Sequence, residues 1–342
     1  MLDAKMHQQL MVNDKWTFEN MNHLKISDKI LREIRHLVPI KTWDIRRNGV
    51  WQYFNVKNIN LSSQGWKIHI SATPFNLIEV AKLVTQYLVN RKSSFKVLAD
   101  YNAYSFINSK IQGRGSSGKF ITIYPVSIDD FKIIIEDLYN LLKEFEGPYI
   151  LSDNRYKDSR CVYYRYGGLK ANIRKSYDGF DEYVIYDEKN NWIIDERHPY
   201  YVLPSWIEDP FQNEDWHIYN QETDNNDLLN NRYEITEAIQ FSSTGGVYKA
   251  FDTQLNKTVI IKEARPFTDM DMSNIDSVHR MHSEKEFLIE FDNKLNIPQY
   301  IDSFEEWEHH FLVIEYIEGV TFAEYINKIH PFMCQQRFKI PS

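Results

Sequence analysis

Residues 208–228, EDPFQNEDWHIYNQETDNNDL, interrupt the chain with a stretch that is acidic, rich in Asn and without hydrophobic period. A segment with no apolar face to bury continues neither a strand nor an amphipathic helix, so it reads as a linker between two units. A length of 342 residues favours two domains as well. The division expected is 1–207, a linker over 208–230, and 231–342. Charge follows it. Residues 1–200 carry 29 basic and 23 acidic side chains, whereas residues 201–342 carry 11 and 25. Residues 1–125 alone hold 18 basic against 8 acidic groups. Cations scattered through strand-like segments suit a small anion or a phosphorylated substrate. Nucleic acid, which selects a dense basic stripe, is not expected as a partner.

Hydrophobic residues make up 43 % of the chain, enough for packed cores, so a disordered polymer is excluded for most of it. Two cysteines, Cys161 and Cys334, support no disulfide framework, and no Cys/His cluster has zinc spacing. The N-terminal residues have no apolar stretch of signal-peptide length, and no apolar run is long enough to span a bilayer. A cytoplasmic protein with no membrane partner is expected.

Along the first unit, Leu24, Ile26, Ile30, Leu31, Ile34 and Leu37 recur at helical spacing. From Trp43 the pattern turns to strands, WDIRRNGVWQYFNV and GWKIHIS. The spacing of Leu77, Val80, Ala81, Val84 and Leu88 predicts a helix over 74–90. FKVLAD and FITIYPV read as further strands, separated by a breaker-rich loop, NSKIQGRGSSGK, that carries Lys110, Arg114 and Lys119. SIDDFKIIIEDLYNLLKEFEG reads as a helix capped by Ser127, followed by a loop and the strand CVYYRYGG. The alternation is that of an α+β domain.

The second unit orders its signals as a hairpin near TGGVYKA, a strand VIIKEA, a helix with HSEKEFLIEFDNKL, and the strand pair that ends FLVIEYIEG. This is similar to the N-lobe of protein kinases, an antiparallel sheet plus one helix. By that resemblance Lys262 is the strand lysine that holds nucleotide phosphates, 15 residues after Val247. In the register of GxGxxGxV, Val247 aligns Gln240, Ser242 and Gly245 with the three glycines, so only the third is present. The resemblance makes Glu286, with Glu284 as second choice, the helix partner of Lys262. It leaves Glu315 and Ile317 to offer backbone groups to a purine. ATP or GTP with Mg is the cofactor of a complete domain of this kind. The residues after the hinge carry neither HRD nor DFG, where the base and metal-binding positions belong, so phosphate transfer by this chain is not expected.

In GWKIHIS, Lys67 and His69 share one strand face and Ile68 and Ile70 the other. Lys96 stands in FKVLAD, and Lys119, Arg155, Arg160 and Arg165 lie in or beside strands, where a guanidinium is costly unless an anion satisfies it. GWKIHIS, FKVLAD, GRGSSGKFITIYP, GPYILSDNRY and YYRYGG together resemble the N-terminal lyase domain of class III lanthipeptide synthetases, the lyase–kinase–cyclase enzymes. That domain is itself similar to the phosphothreonine lyases of bacterial type III effectors. The resemblance covers nearly all of residues 40–342 and implies a phosphothreonine-lyase-like mixed α/β domain followed by a kinase-like N-lobe. The activity implied is β-elimination of phosphate from phosphoserine or phosphothreonine in a ribosomal precursor peptide, leaving dehydroalanine or dehydrobutyrine.

Lys96 is then the candidate base for the Cα proton, with an amine made neutral by burial beside other cations. His69 is the candidate acid for the departing phosphate. Lys67, Arg114, Lys119, Arg155, Arg160 and Arg165 are candidates to hold the phosphate, with Tyr163 and Tyr164 as core and wall. The lyase step needs no cofactor. Its partner is a precursor peptide, leader plus phosphorylated core, with nucleotide at the kinase lobe. The alternatives are a non-catalytic phosphopeptide or leader-peptide receptor on a pseudokinase scaffold and a free-standing effector lyase. Only the elimination readings require both Lys96 and His69.

Overall fold

The computed structural model describes residues 29–110, 113–179, 181–196, 198–218, 228–271, 273–292, 294–320 and 322–329. Cys334 and the helical pattern before residue 29 lie outside these described residues.

The first unit starts with α1 (Lys29–Arg35) and the hairpin β1 (Trp43–Asn48) and β2 (Trp51–Val56), followed by β3 (Gln64–Ile70). Then come α2 (Leu77–Arg91), β4 (Ser94–Leu98), α3 (Tyr101–Asn108), β5 (Ile121–Tyr124) and α4 (Ile128–Leu141). The strands β6 (Asn154–Arg155) and β7 (Val162–Gly168) complete a seven-stranded sheet in the order β1-β2-β4-β5-β3-β7-β6. A small sheet follows, made of β8 (Ile173–Lys175), β9 (Asp181–Tyr186) and β10 (Trp192–Ile194).

Local chemistry starts the helices. Ser127 caps α4 by accepting from the Asp130 N–H at 3.1 Å, with Asp129 and Asp130 favourably placed in the first turn. Phe131, Ile134, Ile135 and Leu138 then face the sheet. Asp100 caps α3 by accepting from the Ala103 N–H at 2.8 Å. That helix was not anticipated, because its eight residues are too few to show a period.

Register explains the core. Phe54 opposes Phe95, Phe95 opposes Ile123, Ile123 opposes Ile68, and Ile68 opposes Tyr164. Directly opposed residues share a face, so this is one continuous apolar row, and α2 and α4 cover it. Trp66, two residues from Ile68, stacks on Phe131 of α4 at 5.6 Å between ring centroids. Cys161 is buried in this core, and burial pushes its thiol up to about 12, so it acts as a small hydrophobe.

The predicted linker boundary is corrected. Phe211 is buried against Phe131, Tyr156 and Tyr164, and Asp209 accepts hydrogen bonds from Tyr164 and Tyr201. The short α5 (Asp215–Ile218) places Trp216 on Tyr156. Residues 209–217 thus belong to the first unit's core. Their aromatic residues pack as single contacts and show no period. Residues 219–227 lie outside the described residues.

The second unit is a six-stranded sheet in the order β11-β12-β13-β14-β16-β15. Its strands are β11 (Leu228–Leu229), β12 (Tyr233–Ser242), β13 (Gly245–Asp252), β14 (Lys257–Ala264), β15 (Tyr300–Glu306) and β16 (His309–Glu315). The helix α6 (Ser277–Glu290) lies between β14 and β15 in sequence, and α7 (Phe322–Ile329) follows β16. Val278, Met281 and Leu288 of α6 pack on one face of the sheet against Leu312 and Ile314. Gly245 is a position where no side chain fits. Its φ is +154°, and a Cβ would lie 1.9 Å from the Glu263 carbonyl oxygen. Among the described residues no helix is long and apolar enough to cross a membrane.

Candidate functional site

The row next to the apolar one points to the other face of the first sheet. Arg46 opposes Tyr53, Tyr53 opposes Lys96, and Lys96 opposes Thr122. Thr122 opposes His69, His69 opposes Tyr163, and Tyr163 opposes Arg155. All seven strands therefore contribute one polar or aromatic side chain to a single line on one face. Two residues along β3, Lys67 opposes Arg165 on that face. The structure thus brings His69 and Lys96 to either side of Thr122, although the sequence separates them widely.

Lys67, His69, Lys119, Arg165 and Thr122 are all buried, an expensive arrangement that specific partners offset. Asp153, fully buried, pairs with His69 Nδ1, lies 3.3 Å from Lys119 Nζ, and accepts from the Ser152 hydroxyl at 2.7 Å. Burial acts to raise its pKa, but the charges of His69, Lys119 and Arg165 win and hold it well below the carboxylate range. Burial lowers the His69 imidazole to about 3 against the opposing pull of Asp153, with Lys119 and Lys67 adding to the fall. The site at rest therefore pairs a carboxylate with a neutral imidazole. Lys67 donates to the Gly168 carbonyl at 3.0 Å and lies 4.0 Å from Asp195, which also binds Arg165 at 2.9 Å.

Lys96 lies among aromatic rings. It is half-buried, its Nζ 4.2 Å from the Trp51 ring centroid and 5.7 Å from that of Tyr53. Ring faces attract an ammonium, and Arg46 shares the Tyr53 ring at 5.6 Å. The remaining predicted phosphate ligands lie elsewhere. Arg114 reaches across to the second unit, binding Glu263 at 2.7 Å and the Ser242 carbonyl at 3.1 Å. Arg155 makes two hydrogen bonds of 2.5 Å to Glu308 in the β15–β16 turn. Arg160 is exposed and pairs with Glu146. Tyr163 and Tyr164 are both fully buried, on opposite faces.

Asp153 and Asp195 were missed. Sequence reasoning looked for cations that bind an anion, and the acids that organise those cations lie far along the chain. The one available signal was the Asp within SDNRY, two residues before Arg155.

In the second unit Lys262, opposite Val247, donates to Glu284 at 2.5 Å. This corrects the first choice, Glu286, which is exposed. Glu284 follows Met281 by three residues and precedes Leu288 by four, so it lies near the buried stripe of α6. The Glu315 N–H is taken by the Gln299 carbonyl at 2.9 Å, and Ile317 is exposed. The β12–β13 turn, expected from the sequence to face nucleotide phosphates, is held by the first unit: Ser243 Oγ donates to the Ser109 carbonyl at 2.7 Å. Among the described residues no group of three His, Cys, Asp or Glu could hold a metal ion.

A buried cationic sheet face bearing a His–Asp pair is joined here to a second sheet that carries a Lys–Glu pair. The chain belongs to the family described as RamC, N-terminal domain, which matches residues 32–223. It is 31 % identical over 292 residues to the probable SapB synthase of Streptomyces coelicolor, a match covering 85 % of this chain and 31 % of that protein. The chain thus spans about a third of the length of that relative. A probable serine/threonine-protein kinase of Clostridium acetobutylicum is 28 % identical over 110 residues, 30 % of this chain and 15 % of that one. A solved structure described as a kinase domain covers 30 % of this chain and 28 % of its own, at 21 % identity and a TM-score of 0.25.

Proposed function

We propose that this chain acts in lanthipeptide biosynthesis, its first unit removing phosphate from phosphoserine or phosphothreonine of a precursor peptide by β-elimination. Family membership and likeness to a SapB synthase support the biosynthetic setting. The observation that carries the chemistry is the placement of Lys96 and His69 on the two sides of Thr122 in one row. Two strand spacings put their Cα atoms roughly 10 Å apart. That span leaves room for a Cα–Cβ–O–P unit with a base at one end and an acid at the other.

In the reaction Lys96, as the free amine, takes the Cα proton. The electron pair forms the Cα–Cβ double bond, and the Cβ–O bond breaks with its electrons leaving on phosphate. Lys67, Lys119 and Arg165 stabilise the charge that develops there. His69 is neutral in the empty site. Its proton is taken up when the phosphate dianion arrives, because a nearby anion favours the imidazolium. Asp153 fixes the ring so that Nε2 faces the leaving oxygen. Lys262, held by Glu284, is the residue that would meet the phosphates of a nucleotide at the second unit.

The test is to incubate the chain with a phosphothreonine peptide and follow peptide mass. Wild type yields a peptide lighter by one phosphoric acid. Lys96→Ala binds the peptide and yields none of that product. Elimination by Lys96→Ala at the wild-type rate would refute the assignment, and binding without elimination by wild type would establish a receptor instead.

A further inference from the structure

Beside the small sheet of the first unit lies a groove of 490 Å³, within the span of about 300–1,000 Å³ typical of ligand clefts. Trp192 and Ile194 of β10 line it together with Val202, Leu203 and Trp206. Trp192 is 51 % exposed, Ile194 40 % and Val202 45 %. Large apolar side chains gathered in one open groove mark a surface that something covers.

The edge of the small sheet says what covers it. The order β10-β9-β8 leaves β10 with a strand on one side only. Ile193 opposes Ile185 and Ile194 opposes Val184, and the Asp195 N–H donates to the Tyr183 carbonyl at 2.8 Å. Hydrogen-bonded pairs alternate along an antiparallel ladder. Ile193 therefore turns its backbone groups to β9, while Trp192 and Ile194 turn theirs to the open side. Soluble proteins blunt such an edge with lysine, proline or a covering segment, and here it is Trp-Ile-Ile. An apolar small molecule or a lipid chain leaves the edge N–H and C=O groups unmet. An extended peptide pairs with them and sets its side chains into the groove.

The groove also runs into the cationic face. Asp195 follows Ile194 directly, and both Asp195 and its partner Arg165 line the groove. Arg165 stands diagonal to His69, because Lys67 opposes Arg165 and His69 opposes Tyr163. That diagonal is about 7–8 Å. An extended peptide advances about 3.3–3.6 Å per residue, so the groove begins about two residues from a phosphorylated side chain held at His69.

We propose that this groove is the subsite for an apolar side chain of the substrate peptide, about two to four residues from the phosphorylated one, with the peptide backbone added to β10 as a strand. The inference rests on the elimination reading above and gives it a substrate class: phosphopeptides that carry a leucine-like residue at that spacing.

The experiment compares two labelled phosphothreonine peptides. One has Leu at the second to fourth positions on either side of the phosphothreonine, and the other has Asn there. Elimination is read as kcat/KM and binding as Kd by fluorescence anisotropy. Wild type should favour the Leu peptide about tenfold in both. Ile194→Asn and Val202→Asn, each at an exposed position, should bring both ratios to about one. General damage to the fold would lower both peptides alike and keep the ratio. N-methylation of alternate amides in the Leu flank should weaken binding in one register and be tolerated in the other. A wild-type ratio near one in both measurements would overturn the proposal, as would a ratio that both variants keep or N-methylation tolerated in both registers. A dimer in sedimentation that Ile194→Asn dissolves without changing the ratio would also overturn it, with a second copy as the occupant. Failure of the elimination reading looks different: wild type releases phosphate from neither peptide, yet its binding preference remains and is lost in both variants.

Discussion

Replacing Asp153 by Asn changes no volume to speak of, yet it should be among the most damaging single substitutions in the first unit. Both carboxylate oxygens of this fully buried residue accept hydrogen bonds, one from His69 and the other from Ser152 beside Lys119. An amide has only one acceptor oxygen. Whichever way it turns, its NH₂ meets a donor, either the Ser152 hydroxyl near the Lys119 ammonium or the imidazole Nδ1. Lys119 is 6 % exposed and loses its counter-charge. Breaking such a buried pair costs about 3–5 kcal/mol. If the amide turns towards His69, the ring must take the other tautomer, and its Nε2 no longer accepts the proton it has to deliver. Loss of general acid catalysis of that kind lowers rates about 10²–10⁴-fold. Urea unfolding followed by tryptophan fluorescence reads the first effect, and single-turnover elimination on a phosphothreonine peptide reads the second. An Asn variant within about 1 kcal/mol of wild-type stability and within about threefold of its rate would refute the account of this site.

Stability of the first unit should fall on acidification between about pH 6.5 and 3, because His69 titrates near 6.5 when unfolded and at about 3 when folded. The unfolded chain binds the proton that the folded chain refuses, so folding loses up to about 1.4 kcal/mol per pH unit in that window. Asp153 adds a loss of the same sign below its ordinary range. His69→Gln should flatten the wild-type slope of Tm between pH 7 and pH 5, and an unchanged slope would contradict the burial argument. In the second unit, Gly245→Ala drives a methyl into the Glu263 carbonyl at a backbone angle that disfavours side chains. It should lower stability by about 3 kcal/mol or more, and a urea midpoint equal to wild type would show that the turn relaxes freely.

Much of the fold was legible because its signals are local. Ser127 announced α4, the spacing of Leu77 to Leu88 announced α2, and alternation in GWKIHIS placed Lys67 and His69 on one face and the isoleucines on the other. The order of strand, lysine and helix marked the second unit for the same reason. Where no period exists, reading failed. The segment with Asp209 and Phe211 looked like linker because its composition is acidic, and only packing against Tyr156 and Tyr164 makes it core.

By itself, then, the sequence determined most strands of the two large sheets, which face the residues of GWKIHIS occupy, and that basic residues outnumber acidic ones over residues 1–125. These follow from steric periods a few residues long. Only tertiary structure decided that Thr122 stands between His69 and Lys96, since that depends on β5 inserting between β3 and β4. Tertiary structure also sorted the cations. Lys67 and Arg165 were given to Asp195, Lys119 to Asp153, and Arg114 and Arg155 to acids of the second unit. The physical reason is range: a charge selects its partner through space, by distance and burial, and spacing along the chain carries no record of either.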